Sequence, residues 1–263
     1  AESLGKEGKG IVPAAGEPAL SPASYGADRF FVCLRLEGDD NSRADALLNA
    51  LGSAGHPVVR LDLRDSYDLG AEFFRWELAT AVAGAVIGVR PFDQPNVQAA
   101  KDMTDSVLDR AGDSGTLSDA PTTMSFEELM TGVRPGDYVA IMAYVHQTPE
   151  MDRALFDLRG AISERYEVAT TLGYGPRFLH STGQLHKGGP PSGVFVQVTS
   201  DYAADIPVPG QRYTFGALVD AQALGDLQAL QGAGRRVTRV HLGKEEIESV
   251  SELTAALRRP VGK

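Results

Sequence analysis

The sequence has a single cysteine, Cys33, in 263 residues. No internal disulfide can form, and a reducing, cytoplasmic setting fits. Cys33 falls in an apolar strand pattern, which predicts a buried thiol. Positive charge is in deficit: 25 Lys and Arg stand against 35 Asp and Glu, a formal net charge of −10. Such a surface opposes binding along a phosphate backbone, so no nucleic-acid partner is expected. It still leaves room for a local basic pocket that holds one sugar phosphate. Long apolar runs are missing too. The longest, residues 78–89, holds twelve residues, too short to span a membrane, and no signal-peptide pattern is present.

Several chemical signatures are also lacking. GKEGKG near the start has no GK[ST] at the required spacing, so it is not a phosphate-binding P-loop. A dinucleotide GxGxxG fingerprint is absent, which speaks against a nucleotide-binding flavodoxin-like domain. No GxSxG elbow exists to present a nucleophilic serine. His180 and His186 are six apart, with no Cys or carboxylate close by. That is not the i, i+4 spacing of a helical metal pair, so neither a metal nor another cofactor is expected.

What remains is an ordinary globular composition, 43% hydrophobic and 23% charged, long enough for one large or two small domains. Residues 1–28 are rich in Gly and Pro and read as an extended, turn-rich segment, a linker or a tail if nothing holds it. Residues 29–37 are a predicted strand, 40–54 a helix and 57–63 a second strand, a βα-type unit with a parallel sheet. A nearly apolar helix follows over 69–89. Apolar most of the way round, it is expected to be buried at a subunit or domain interface, which points to a homo-oligomer. Next comes RPFDQPNVQAAK, residues 90–101, where Asp93 suits an N-cap and Pro95 the first turn of a helix running to about 111. On that helix Val97, Ala100, Thr104 and Val107 form a core-facing stripe. Gln94, Gln98, Lys101 and Asp105 form a polar one, which suits either an anionic, hydroxyl-rich ligand or a solvated face with Lys101 paired to Asp105.

Residues 112–123 are the clearest boundary, small and polar with Gly and Pro. Beyond them the pattern predicts a capped short helix over 125–132 and strands over 137–145, 168–172, 193–199 and 237–241. Longer helices are predicted over 149–166, 215–232 and 245–257. The fold class is thus α/β: a parallel-sheet subdomain followed by a second α/β sandwich subdomain. Between the strands ending at Leu172 and starting at Gly193 lies GYGPRFLHSTGQLHKGGPP, long for an αβ connection. It gathers Arg177, His180, Ser181, Thr182, Gln184, His186 and Lys187 among glycines, after the carboxyl end of a strand. Cations, hydroxyls and backbone N–H groups together suit an anion and sugar site. The plainer alternative is a surface loop with one structural histidine.

FDQPNVQAAK resembles the lysine signature of glucose-6-phosphate isomerases: FDQ, two residues, Val, three residues, Lys. LGAEFFRWE before it resembles that family's helix. AESLGKEGKG with GEP at Gly16–Pro18 resembles the family's ESNGK…GEP segment. FLHSTGQLHKGG resembles its H-x-x-x-Q-L histidine motif, which here follows the lysine motif instead of preceding it. That order is similar to the C-terminal part of the bifunctional transaldolase/glucose-6-phosphate isomerases.

The resemblance implies a metal-free aldose–ketose isomerase that interconverts glucose 6-phosphate and fructose 6-phosphate through an enediol. It implies Glu2, Lys101 and His180 as catalytic residues, with Glu2 moving the proton between C1 and C2. Gln94 would hydrogen-bond the substrate. Arg177 or Lys187, by charge alone, would offset developing enediolate charge, and Ser181, Thr182 and Gln184 of the anion-and-sugar loop would add substrate contacts. It further implies an extended segment over 1–28 from a preceding isomerase domain and a sugar-isomerase-like (flavodoxin-like) subdomain over 29–112. A linker over 113–124 and a C-terminal α/β subdomain over 125–263 would complete the chain. The partners would be a sugar-phosphate substrate, upstream isomerase and transaldolase domains, and no membrane. The chain opens without Met, and no Ser/Thr-rich phosphate loop precedes residue 100, so a fragment with little activity alone is expected. The rival expectation is a non-catalytic α/β module for sugar-phosphate binding or assembly.

Overall fold

The computed structural model describes residues 1–111 and 124–259. The boundary expected over 112–123, and all but the last residue of the 113–124 linker, lie outside the described residues. The architecture is mixed α/β with two parallel sheets.

The first sheet has two strands. β1 (Phe31–Leu36), helix α1 (Ser42–Ser53) and β2 (Val58–Leu63) form a right-sized crossover, with Phe31 paired to Val58 and Leu36 to Leu63. Leu48 and Leu51 of α1 are buried, while Val32, Leu34 and Val59 on the strands are exposed. Cys33 is half-buried. The buried thiol expected from its apolar neighbours is therefore corrected: a two-stranded sheet gives a strand too few neighbours to enclose it.

The second sheet has four strands in the order β4-β3-β5-β6. They are β3 (Tyr138–Tyr144), β4 (Ala169–Tyr174), β5 (Gly193–Thr199) and β6 (Arg236–His241), and all pair in parallel. β3 and β5 lie in the middle and are buried along their whole length, as expected when helices cover both faces of a parallel sheet. One face carries α4 (Phe126–Thr131), α5 (Pro149–Tyr166) and α8 (Glu246–Arg258). Their Met151, Leu155, Leu158, Ile162 and Val250 meet Val139, Ile141, Val194 and Val196. The other face carries α7 (Phe215–Gly232), whose Ala223, Leu227 and Leu230 meet Ala140, Met142 and Phe195. Successive strand residues thus serve opposite cores.

Local chemistry sets the helix starts. Ser125 and Glu128 form a reciprocal capping box on α4, and Thr148 caps α5 with Pro149 in the first turn. Thr214 caps α7.

The remaining helices are α2 (Asp68–Ile87), α3 (Val97–Ala111) and the short α6 (Gly183–Gly188). α3 packs across α7, where Val107 meets Ala221 and Leu224. A Cβ on Gly225 would stand 2.7 Å from Thr104 Oγ1, so the crossing needs glycine there. α2 is the expected apolar helix. Only its Glu72 and Gly84 are buried; Phe73, Phe74 and Val86 are 63%, 67% and 79% exposed. Pro91 lies against Gly84, and the aromatic side chains near the start of the helix are open in this chain, as a face that packs at an interface would be. No helix among the described residues is long and apolar enough to cross a membrane.

Candidate functional site

The first ten residues lie as a strap against α6. Glycines permit the approach: a Cβ on Gly5 would fall 2.3 Å from Leu185 Cα. One on Gly188 would fall 2.5 Å from both Asn96 Oδ1 and Gln184 Nε2. The Gly8 N–H donates to the Gly188 carbonyl at 3.0 Å.

Gln184 is the junction. Its side chain is fully buried. Nε2 donates to the Gly5 carbonyl at 2.9 Å and to Asn96 Oδ1 at 2.7 Å. Oε1 accepts from the Asn96 N–H at 2.8 Å. Its backbone N–H donates to the Glu2 carboxylate at 3.2 Å. Three segments, the strap with Glu2, the turn before α3 and the start of α6, therefore meet at one amide side chain. Every polar atom of that side chain is engaged, as burial demands.

A second tie runs through Lys6, which is 2% exposed. Its amine donates to the Arg90 carbonyl at 2.7 Å, to the Asp93 carbonyl, and to Asp93 Oδ1 at 2.7 Å. The hydrogen bond from Lys6 holds the Asp93 carboxyl below its ordinary range. This revises the expected helix start. α3 begins at Val97, after Pro95 and Asn96 form a turn, so Asp93 receives Lys6 from the strap. Gln94 beside it is exposed. Lys101 stands on α3 by its backbone; its side chain, and with it the expected pairing to Asp105, lies outside the described residues.

The long connection between β4 and β5 is largely interior. A 3₁₀ turn over Arg177–His180 precedes α6, and Gly183 to Lys187 are buried. Arg177, His180 and Ser181 are exposed and Thr182 is half-buried. Arg177 donates to Gln147 Oε1 at 2.7 Å. The hydroxyls of Ser181 and Thr182 donate back to the Phe178 carbonyl at 3.2 and 3.3 Å. Lys187 points inward and is paired with Asp226 of α7, both side chains almost fully enclosed. Arg235 locks the exit of α6 through the carbonyls of Lys187 and Gly189 at 2.6 and 2.7 Å.

His186 is enclosed between Phe178 and Phe195, ring centroids 5.7 and 5.1 Å away. Burial, with Lys187 and Arg235 nearby, pushes its pKa down to about 3. It is a neutral ring in the core, while His180 is the histidine open to solvent. No group of three or more His, Cys, Asp or Glu side chains suited to a metal occurs among the described residues.

The GEP segment is anchored at its own carboxylate. Glu17 accepts from the Thr170 N–H at 2.7 Å and the Thr170 hydroxyl at 3.0 Å, and pairs with Arg29. Arg159 donates to the carbonyls of Gly16 and Ala15 at 2.7 and 3.1 Å. The segment over 1–28 is thus fastened to the four-stranded sheet and is not a loose tail.

Sequence reasoning named Glu2 and Gln184, which the fold brings together. It missed Lys6, Asn96 and Asp226. Asn96 sits inside the lysine signature, at a position that its pattern leaves open. Lys6 lies in GKEGKG, which carried a signal only for a phosphate loop.

No family model matches the chain. Over 74 residues, 27% of this chain and 17% of the relative, it is 42% identical to a glucose-6-phosphate isomerase of Rubrobacter xylanophilus. Over 147 residues it is 29% identical to the glucose-6-phosphate isomerase of Enterococcus faecalis, covering 42% of this chain and 33% of that one. A Streptococcus pyogenes glucose-6-phosphate isomerase is 38% identical over 84 residues, 29% of this chain and 19% of that one. The matched stretches span no more than a third of these relatives' length. The chain is therefore similar to glucose-6-phosphate isomerases over part of its length. Among solved structures, a hypothetical protein of Thermus thermophilus aligns with a TM-score of 0.42 at 15% identity, covering 86% of this chain and 55% of that one.

Proposed function

We propose that this chain is the C-terminal portion of a glucose-6-phosphate isomerase, in a bifunctional transaldolase/isomerase, and supplies part of the active site. The observation that carries the reading is the junction at Gln184. It gathers the strap bearing Glu2, the turn bearing Gln94 and the connection bearing His180, the same segments that resemble the isomerase motifs.

In this reading Glu2 carries the proton between C1 and C2 through an enediol, and a backbone N–H holds its carboxylate in place. His180 and Lys101 serve the ring and C1 oxygens during ring opening. Gln94, Arg177 and Ser181 face the sugar phosphate from exposed positions and Thr182 from a half-buried one. Gln184 and Lys187, with their polar atoms engaged inside the protein, position the site instead of touching substrate. The remaining phosphate contacts come from upstream domains, so the isolated chain turns over little substrate. The cytoplasm and a homo-oligomeric assembly complete the proposal.

The test is Lys101→Ala in the full natural protein, assayed for conversion of fructose 6-phosphate to glucose 6-phosphate. Loss of a positioned acid–base group lowers kcat by about 10²–10⁴-fold. Turnover unchanged in that variant would refute the isomerase reading and leave the chain a binding or assembly module.

A further inference from the structure

We infer that Lys6 is a positioning residue, the clamp that sets where the 90–96 turn stands against Glu2; the inference rests on the isomerase reading above. The geometry is specific. Lys6 is four residues beyond Glu2 on the strap, yet its side chain crosses to a turn more than eighty residues away. There it meets three oxygens, the Arg90 and Asp93 carbonyls and the Asp93 carboxylate. An ammonium has three protons, and each finds an acceptor. A cation is buried this completely only when paired and fully hydrogen-bonded, so the amine has no free donor for a substrate. What it can do is hold.

Gln94 follows Asp93 directly, and Asn96, which Gln184 grips, opens α3 towards Lys101. One end of the turn is thus held by Lys6 and the other by Gln184. Glu2 lies in the same strap as Lys6 and bonds the same α6 as Gln184. The two clamps close a ring through strap, turn and α6. Gln184 alone would leave the turn free to pivot about Asn96; Lys6 removes that freedom at its far end.

The test is Lys6→Met in the full natural protein, which keeps the length of the side chain and removes its donors. Misplacing a catalytic group by about 1 Å lowers the rate by up to about 10²-fold. The expected result is a kcat about 10- to 100-fold lower with KM for fructose 6-phosphate within about threefold. Asp93→Asn, which keeps the two carbonyl acceptors, is expected to show a smaller loss of the same kind. A merely structural role would lower only the yield of folded enzyme. Then kcat per folded site would stay at the wild-type value, and the inference would be overturned. If Lys6→Met fails to fold, Asp93→Asn decides by the same split. In the isolated chain, the Asn96 amide and Gln184 side-chain NMR resonances report the clamp without turnover. Their shift in the folded variant with no wild-type isomerase activity would remove the isomerase reading and keep the clamp. Unmoved resonances would remove the clamp.

Discussion

A histidine that cannot take a proton without leaving the core makes stability depend on pH. His186 is that residue, held neutral at a pKa of about 3 by burial, against about 6.5 in an unfolded chain. Its folded pKa is the lower one, so the unfolded state binds the proton first. The stability it contributes is present above pH 6.5 and falls as pH drops towards 3, by about 1.4 kcal/mol per unit. A phenylalanine in its place would keep an aromatic ring between Phe178 and Phe195, so His186→Phe is expected to remove this slope. Urea unfolding of both proteins at pH 7, 5.5 and 4.5 measures it; a stability difference that stays constant with pH contradicts the assignment. At this scale the sequence announced residue types but not their surroundings. Lys187 and Lys6 look like surface cations in a Gly-rich context and are both enclosed, because a partner distant in the chain, Asp226 or Asp93, meets each of them.

Elements were more legible than residues. Periodicity and caps act within a few positions, so α5, β5 and α7 occupy the spans their patterns predict. How elements cross depends on contacts that no window contains. Gly225 is an unremarkable mid-helix glycine in sequence, yet Thr104 of α3 lies against it. Gly225→Val is expected to force α3 off α7 and lower stability by about 1–3 kcal/mol. Gly232→Ala, in open space at the end of the same helix, is expected to be neutral or stabilising by up to about 1 kcal/mol. Denaturant midpoints of the two variants make the comparison, and equal effects would refute the close approach. α2 shows the opposite limit: its pattern predicts the helix correctly, and within the described residues only Glu72 and Gly84 of it are buried, so an apolar circumference by itself does not name what packs over it.

Across the whole molecule the strap is the least local feature. With the residues that follow it, through Glu17, it runs from α6 past α5 to the start of β4, fastened by Lys6, Arg159 and Glu17. Glu17 is nearly enclosed and balances Arg29, so Glu17→Ala leaves a buried guanidinium and the Thr170 donors without their acceptor. A loss of about 2–4 kcal/mol is expected, together with faster trypsin cleavage after Lys6 and Lys9 as the strap lifts. Cleavage at the wild-type rate would show that the other fasteners suffice. Taken by itself, the sequence determined the α/β class, the order and approximate extent of its elements, and the motifs that resemble an isomerase, because each of these is written in residue types at short spacing. The tertiary structure alone decided that Glu2, Asn96 and Gln184 converge and that Lys6 and Lys187 are interior. Those outcomes depend on hydrogen bonds and packing between residues as far as 182 positions apart, whose free energy exists only once the chain has folded.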